Sequence, residues 1–166
     1  MLILQTAGVG RMVVFRKMSA EDTALLTDVR VTVLRAANLP DDDADMSAVA
    51  EQSRLYYERA LNNDSHTAYL AFDGEKVVGA GGVSYYRVMP TCDNVTGRKA
   101  YIMNMYTSPE YRRQGIALKM LDLLVKDAKA RGITHIALEA TAAGRPLYLK
   151  YGFVPMEHEM MLPIDG

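Results

Sequence analysis

Arg112, Arg113, Gly115 and Ala117 fall within one short stretch that separates a strand-like run from a helix-like one. Those residue types at such a junction suit the gripping of a diphosphate. The first N–H groups of a helix have no partner inside it, and the macrodipole adds partial positive charge there. Gly115 has no side chain to hold an anion off the backbone. Ala117 keeps the next inward position small, and the two arginines raise the local potential. The same residues also fit an ordinary strand-to-helix turn with surface arginines. Two commoner phosphate loops are excluded. No Gly-Lys-Ser/Thr follows at the spacing of a P-loop, and the three glycines of a dinucleotide fingerprint are missing.

The flanking elements must position that turn. Tyr101 to Thr107 is apolar, aromatic and β-branched, without Gly or Pro, and reads as a largely buried strand. Ser108-Pro109-Glu110 ends it, because Pro109 has no N–H for a ladder. In the following run Leu121, Leu124 and Ala128 recur at helical spacing, with Ala117 one turn earlier. Lys119, Asp122, Lys126 and Lys129 fall on the other side, where Asp122 and Lys126 form an i,i+4 ion pair. Gly132 stops the helix as a left-handed cap.

Arg112-x-x-Gly115-x-Ala117, after a strand and a Pro-Glu-Tyr turn, resembles the (Gln/Arg)-x-x-Gly-x-(Gly/Ala) signature of the GCN5-related N-acetyltransferases. A second match follows in the expected order. Leu147-Tyr148-Leu149-Lys150-Tyr151-Gly152-Phe153 is similar to that family's Leu-Tyr-x-x-x-Gly-Phe element. Two motifs with the right helix and strand between them are more specific than either alone. The resemblance is strong over the second half of the chain and covers the first half only in its pattern of elements. It implies acetyl-CoA as cosubstrate, with Arg113, Gln114, Gly115, Ile116, Ala117 and Leu118 around the pyrophosphate and Met105, Tyr106 and Thr107 along the pantetheine arm. A polar, amide-bearing chain is well aligned by an exposed strand edge.

Acyl transfer from a thioester to an amine makes further demands. The developing oxyanion needs an N–H donor, expected on the same strand near Met105. The amine arrives mostly as ammonium and must lose a proton, which a carboxylate can take directly or through a water. Glu139 lies at the end of the neighbouring strand, and in some relatives a glutamate in Leu-Glu-Val, where this chain has Leu138-Glu139-Ala140, is the general base. The competing role for Glu139 is a structural carboxylate bonded to nearby backbone N–H groups. Tyr148 matches the family's general acid, which protonates the departing thiolate. A phenol of pKa about 10 suits that task. The alternative is an aromatic ring packed over the cosubstrate; Tyr151, close by, is expected in the core. One departure stands out. Relatives often carry an asparagine about seven residues before the tyrosine, and here the position is Thr141, which fits a helix cap.

The remaining chain bounds these readings. A length of 166 residues suits one domain with a proper core, and 49% hydrophobic against 23% charged residues is the balance of a globular protein. A net charge of −1 without a basic, aromatic-interleaved stripe argues against nucleic acid. The single Cys92 excludes an internal disulfide framework and suits a reducing cytoplasm. Three scattered histidines give no metal-ligand spacing, so no metal is expected. No apolar run is long enough for a membrane span. Residues 1–11 read as a disordered or strand-like extension, with Met12 a second candidate start, and residues 12–166 as a single catalytic domain.

Within that domain the expected order is a strand to Lys17, a capping box at Ser19 and Asp22, and a helix to about Ala37. An acidic loop over 41–45 precedes a second helix from Met46 to Leu61 carrying Tyr56 and Tyr57. Such an acidic run either attracts a cationic substrate or is a solvated loop ending in an N-cap. Thr67 to Phe72 and Lys76 to Tyr86 form a hairpin about Asp73-Gly74, and Gly79, Gly81 and Gly82 mark a bulge or a close backbone approach. Thr134 to Ala140 is a strand and Thr141 to Tyr151 a short helix. Phe153 to Pro155 and Glu159 to Leu162 close a mixed, mostly antiparallel sheet flanked by helices, an α+β domain. The acceptor is a small-molecule or peptide amine, with Tyr56, Tyr57, Tyr85, Tyr86 and Arg87 as candidate lining and the 90–98 loop alongside. Dimers are frequent in the family, which brings a homodimer into consideration. A non-catalytic acyl-CoA sensor is the reading from another class.

Overall fold

The computed structural model describes residues 2–7, 10–38 and 44–163. Most of the acidic loop therefore lies outside the described residues. The chain forms a six-stranded sheet in sequential order, β1 (Leu2–Ala7), β2 (Arg11–Lys17), β3 (His66–Asp73), β4 (Lys76–Arg87), β5 (Arg98–Thr107) and β6 (His135–Leu138). Every pairing is antiparallel except β5 with β6. Between β2 and β3 run α1 (Thr23–Asn38) and α2 (Ser47–Asn62); α3 (Ile116–Ala130) joins β5 to β6, and α4 (Arg145–Tyr151) follows. The parallel pair is the one joined by a helical crossover, as its geometry requires.

The sheet separates two cores. Phe15, Val78, Val83, Ile102, Ile116, Leu121 and Leu124 pack together on the α3 side. Leu26, Val33, Tyr57, Leu70 and Ala80 pack on the α1 and α2 side. The glycines of β4 let helix α3 come close. A Cβ on Gly79 would stand 3.0 Å from the Ile116 side chain, and one on Gly81 would stand 2.5 Å from Met120. Close approach, with a bulge on the facing strand, is what this glycine run provides. At the far end of α3, Asp127 accepts hydrogen bonds from Lys17 at 2.6 Å, Tyr85 at 2.5 Å, Thr67 at 2.9 Å and Arg131 at 2.8 Å. Arg131 also lies 4.2 Å over the Tyr85 ring and pairs with Asp64. This cluster ties α3 to three strands.

Several boundaries differ from the sequence expectation. Residues 2–7 take the strand-like form, as β1 at the sheet edge. The hairpin turns on Gly74 and Glu75, one residue later than expected, because Asp73 pairs with Lys76 and Gly74 takes φ +59°. Strand β6 ends at Leu138, so Glu139 lies beyond it, and α4 begins at Arg145 after a turn in which the Thr141 hydroxyl accepts the Gly144 N–H at 3.1 Å. The closing strands over 153–155 and 159–162 do not form. Pro155 has no N–H for a ladder, and Val154 and Met160, at 79% and 99% exposed, find no apolar surface to bury against.

Candidate active site

The site is built at the end of β5. Register runs Gly82 to Met103 and then Ala80 to Tyr106, so Asn104 and Met105 stand together opposite Gly81. Asn104 takes φ +60°, a left-handed conformation that asparagine tolerates. The extra residue is a β-bulge, which bends its strand away from the sheet plane. Pairing with β6 covers only Lys99 to Ile102. From Met103 to Thr107, the side of β5 away from β4 therefore offers an edge without a strand partner among the described residues, and Met105, Tyr106 and Thr107 lie on it half-buried. The Thr107 hydroxyl is buried and makes no hydrogen bond among the described residues.

The strand then turns through Ser108 and a short 3-10 segment, Pro109–Tyr111, into α3. Ile116 seats against Gly79, which itself pairs with Thr107, and this places the start of α3 beside the end of β5. Arg113 has φ +64° and Gly115 φ +81°, so the chain coils tightly just before the helix. Among the described residues no side chain caps α3. Its first N–H groups remain available, and Arg112 and Arg113 add positive charge without a carboxylate partner among the described residues. The loop is braced by its own amides and by β1. Gln114 donates to the Glu110 carbonyl at 3.2 Å, and Gln5 donates to the Gln114 carbonyl at 3.3 Å. A Cβ on Gly115 would stand 3.0 Å from the Gln5 amide nitrogen.

Tyr148, on α4, is 8% exposed and packs edge-on against Phe153, centroids 6.1 Å apart. Burial pushes its phenol above the ordinary value. Its hydroxyl has no protein partner among the described residues, unlike that of Tyr151, which donates to Asp122 at 3.2 Å. Glu139 is exposed. Burial first, and then the nearby Glu139 carboxylate, push the Tyr101 phenol up. No hydrogen bond or ion pair joins Glu139 to Tyr148.

On the α1 and α2 side of the bulge lies a cavity of about 250 Å³ whose walls include Arg30, Tyr56, Tyr57, His66, Met103 and Asn104. Sequence reasoning finds Tyr56 and Tyr57 but misses His66, Ser84 and Arg30. Tyr85 turns to the other face, toward Asp127, while Arg87 donates to the Thr96 carbonyl at 3.2 Å. The 90–98 loop does not line the cavity. His66 Nδ1 lies 3.1 Å from the Tyr56 hydroxyl and 3.2 Å from the Ser84 hydroxyl, which are 2.6 Å from each other. Burial lowers the His66 pKa to about 4, so the ring is neutral at neutral pH. The only sequence signal for this cluster is Gly82, since a Cβ there would stand 2.8 Å from His66 Nε2.

Among the described residues no helix is long and apolar enough to cross a membrane. Cys92 is exposed, and His135 comes to its neighbour Asp93 at 3.1 Å.

Comparison with known proteins places this architecture. The chain is 28% identical over 112 residues to the uncharacterized N-acetyltransferase YedL of Escherichia coli strain K12, covering 64% of this chain and 65% of that protein. It superposes on the crystal structure of a predicted acetyltransferase with acetyl-CoA from Clostridium acetobutylicum with a TM-score of 0.83 and 34% identity, covering 92% of this chain and 96% of the other. A GCN5-related N-acetyltransferase from Ralstonia eutropha JMP134 gives a TM-score of 0.77 and 25% identity, covering 93% and 99%. The pattern of the acetyltransferase (GNAT) family matches residues 34–153, from within α1 to just past α4, and this chain belongs to that family.

Proposed function

We propose that this protein moves the acetyl group of acetyl-CoA to a primary amine by direct attack with both substrates bound. One observation carries the reading. The partnerless edge of β5 beyond Asn104 runs directly into the uncapped, arginine-flanked start of α3. An amide-bearing arm ending in a diphosphate matches that sequence of surfaces. The Clostridium acetobutylicum relative, crystallised with acetyl-CoA, supports the same cosubstrate.

In this reading Met105, Tyr106 and Thr107 hold the pantetheine arm, and Arg113, Gln114, Gly115, Ile116, Ala117 and Leu118 hold the diphosphate. The bulge turns the backbone near Met105 outward, where an N–H can meet the carbonyl oxygen of the thioester as negative charge develops there. Glu139 takes a proton from the incoming ammonium. The neutral nitrogen attacks the carbonyl carbon, a C–N bond forms and the C–S bond breaks. Tyr148 gives its proton to the departing sulfur and is later reprotonated from solvent, while the acylated nitrogen loses its second proton to solvent and Glu139 releases the one it took. Ammonium and thioester thus become amide, thiol and one released proton. No metal is assigned a part. Residues 12–166 carry the catalytic domain, residues 1–11 extend it by an edge strand, and the setting is the cytoplasm.

The test is thiol release from acetyl-CoA across a library of amines. At least one primary amine is expected to be acetylated by the wild type, whereas Gly115→Val is expected to be inactive. A β-branched residue is strained at φ +81° and would stand against Gln5 in the cradle. Acetyl-CoA binding without turnover on any amine would favour the non-catalytic sensor instead.

A further inference from the structure

The cavity beside the bulge narrows the acceptor. Arg30 projects from α1 into its wall and donates to the Asn104 side-chain oxygen at 3.1 Å. It has no carboxylate partner among the described residues. Among the described residues that line the cavity, none is Asp or Glu. Met103, Tyr56 and Tyr57 give the wall its apolar and aromatic surface, and its other described members, Gln52, Ser53, Ser84, Asn104 and neutral His66, are uncharged. A guanidinium in a low-dielectric wall, with donors left over, recruits an anion. Among the described residues the same wall offers no carboxylate to pair with the second ammonium of a polyamine or the several of an aminoglycoside. At about 250 Å³ the space is also smaller than the ~300–1,000 Å³ usual for larger ligands.

We infer that the acceptor is a small amine bearing a carboxylate, an α-amino acid with an apolar side chain, whose carboxylate pairs with Arg30. This rests on the acetyltransferase reading above and specifies its second substrate. Asn104 belongs both to this cavity and to the bulge that presents Met105. An amino group two bonds from the carboxylate carbon held by Arg30 is therefore delivered toward the strand proposed to hold the thioester. The aromatic rings of Tyr56 and Tyr57 supply the surface for the apolar side chain.

The experiment compares each amino acid with its own decarboxylated amine. Phenylalanine is paired with phenethylamine and leucine with isoamylamine, and spermidine and kanamycin serve as polycationic controls. For the wild type, kcat/KM is expected to favour the carboxylated member by about 10- to 100-fold, the scale of a charge-assisted hydrogen bond. Arg30→Met is expected to bring each pair within about threefold, mainly through the KM of the amino acid, and Arg30→Lys to restore part of the preference. Melting temperatures of the variants, measured with acetyl-CoA, check that each is folded. In the wild type alone, a carboxylated amino acid added with CoA should raise the melting temperature, and the decarboxylated amine should not. Turnover of decarboxylated amines or polycations at rates equal to or above those of amino acids would overturn the inference and leave acetyl transfer standing. An unchanged preference in Arg30→Met would overturn the role of Arg30. Failure of the wild type to bind acetyl-CoA would instead remove the acetyltransferase reading, and the acceptor inference with it.

Discussion

Tyr148→Phe is expected to lower kcat by about two to four orders of magnitude, the usual contribution of a positioned general acid. Its KM for acetyl-CoA should stay within about threefold. The substitution removes one oxygen and keeps the ring that packs against Phe153. No hydrogen bond within the described residues depends on that oxygen, so stability should hold. Burial raises the phenol pKa, which keeps the proton on Tyr148 at neutral pH and available to a departing thiolate. Tyr151→Phe is the matched control. Its hydroxyl serves Asp122 on α3, so turnover should be nearly unchanged. Equal rates for Tyr148→Phe and wild type would reduce Tyr148 to a packing role.

The second large effect is on stability. Asp127→Ala is expected to cost about 3–5 kcal/mol, the range for removing one partner of a buried ion pair. For a chain of this size that lowers the melting temperature by about 6–20 °C. Asp127 is 14% exposed and Arg131 18%, so solvent screening is modest for this pair, whereas Lys17, at 40%, contributes little. The pH dependence has a definite sign. Burial alone would raise the Asp127 pKa, but hydrogen bonds from Lys17, Tyr85, Arg131 and Thr67 outweigh it and hold the carboxyl well below the ordinary range. A depressed native pKa adds stability above the unfolded value of about 3.9 and loses it as the pH falls toward the native one. Denaturant melts of wild type and Asp127→Asn should therefore differ most above about pH 5 and converge in acid. A constant gap across that range would contradict the linkage.

Local features of this chain are legible in its sequence. The apolar stripe of α3, its Gly132 stop and the Asp122 to Lys126 ion pair at 2.7 Å depend on neighbours within a turn or two. So does the Ser19 and Asp22 capping pair, in which Asp22 accepts the Ser19 N–H at 2.8 Å. The turn proposed to hold the diphosphate is of this kind, because a strand, a proline turn and a glycine before a helix are contiguous. What fails to show is set by partners far along the chain. The bulge at Asn104 exists only relative to Gly81 across the ladder. Gln5 braces Gln114 from 109 positions away. His66 is buried against Tyr56 of α2 and against Ser84 and Gly82 of β4, two elements distant in sequence from each other, and nothing in its own sequence context marks it. The apolar run near Met160 reads as a strand by composition, yet composition cannot supply a neighbour for it to pair with.

The location of bound CoA on the wild-type protein is the most direct test of the diphosphate cradle. Backbone amide resonances followed during a CoA titration should shift most at residues 113–118 and along Met105 to Thr107, with saturable binding. Saturable binding that moves amides elsewhere and leaves those two stretches unperturbed would contradict it.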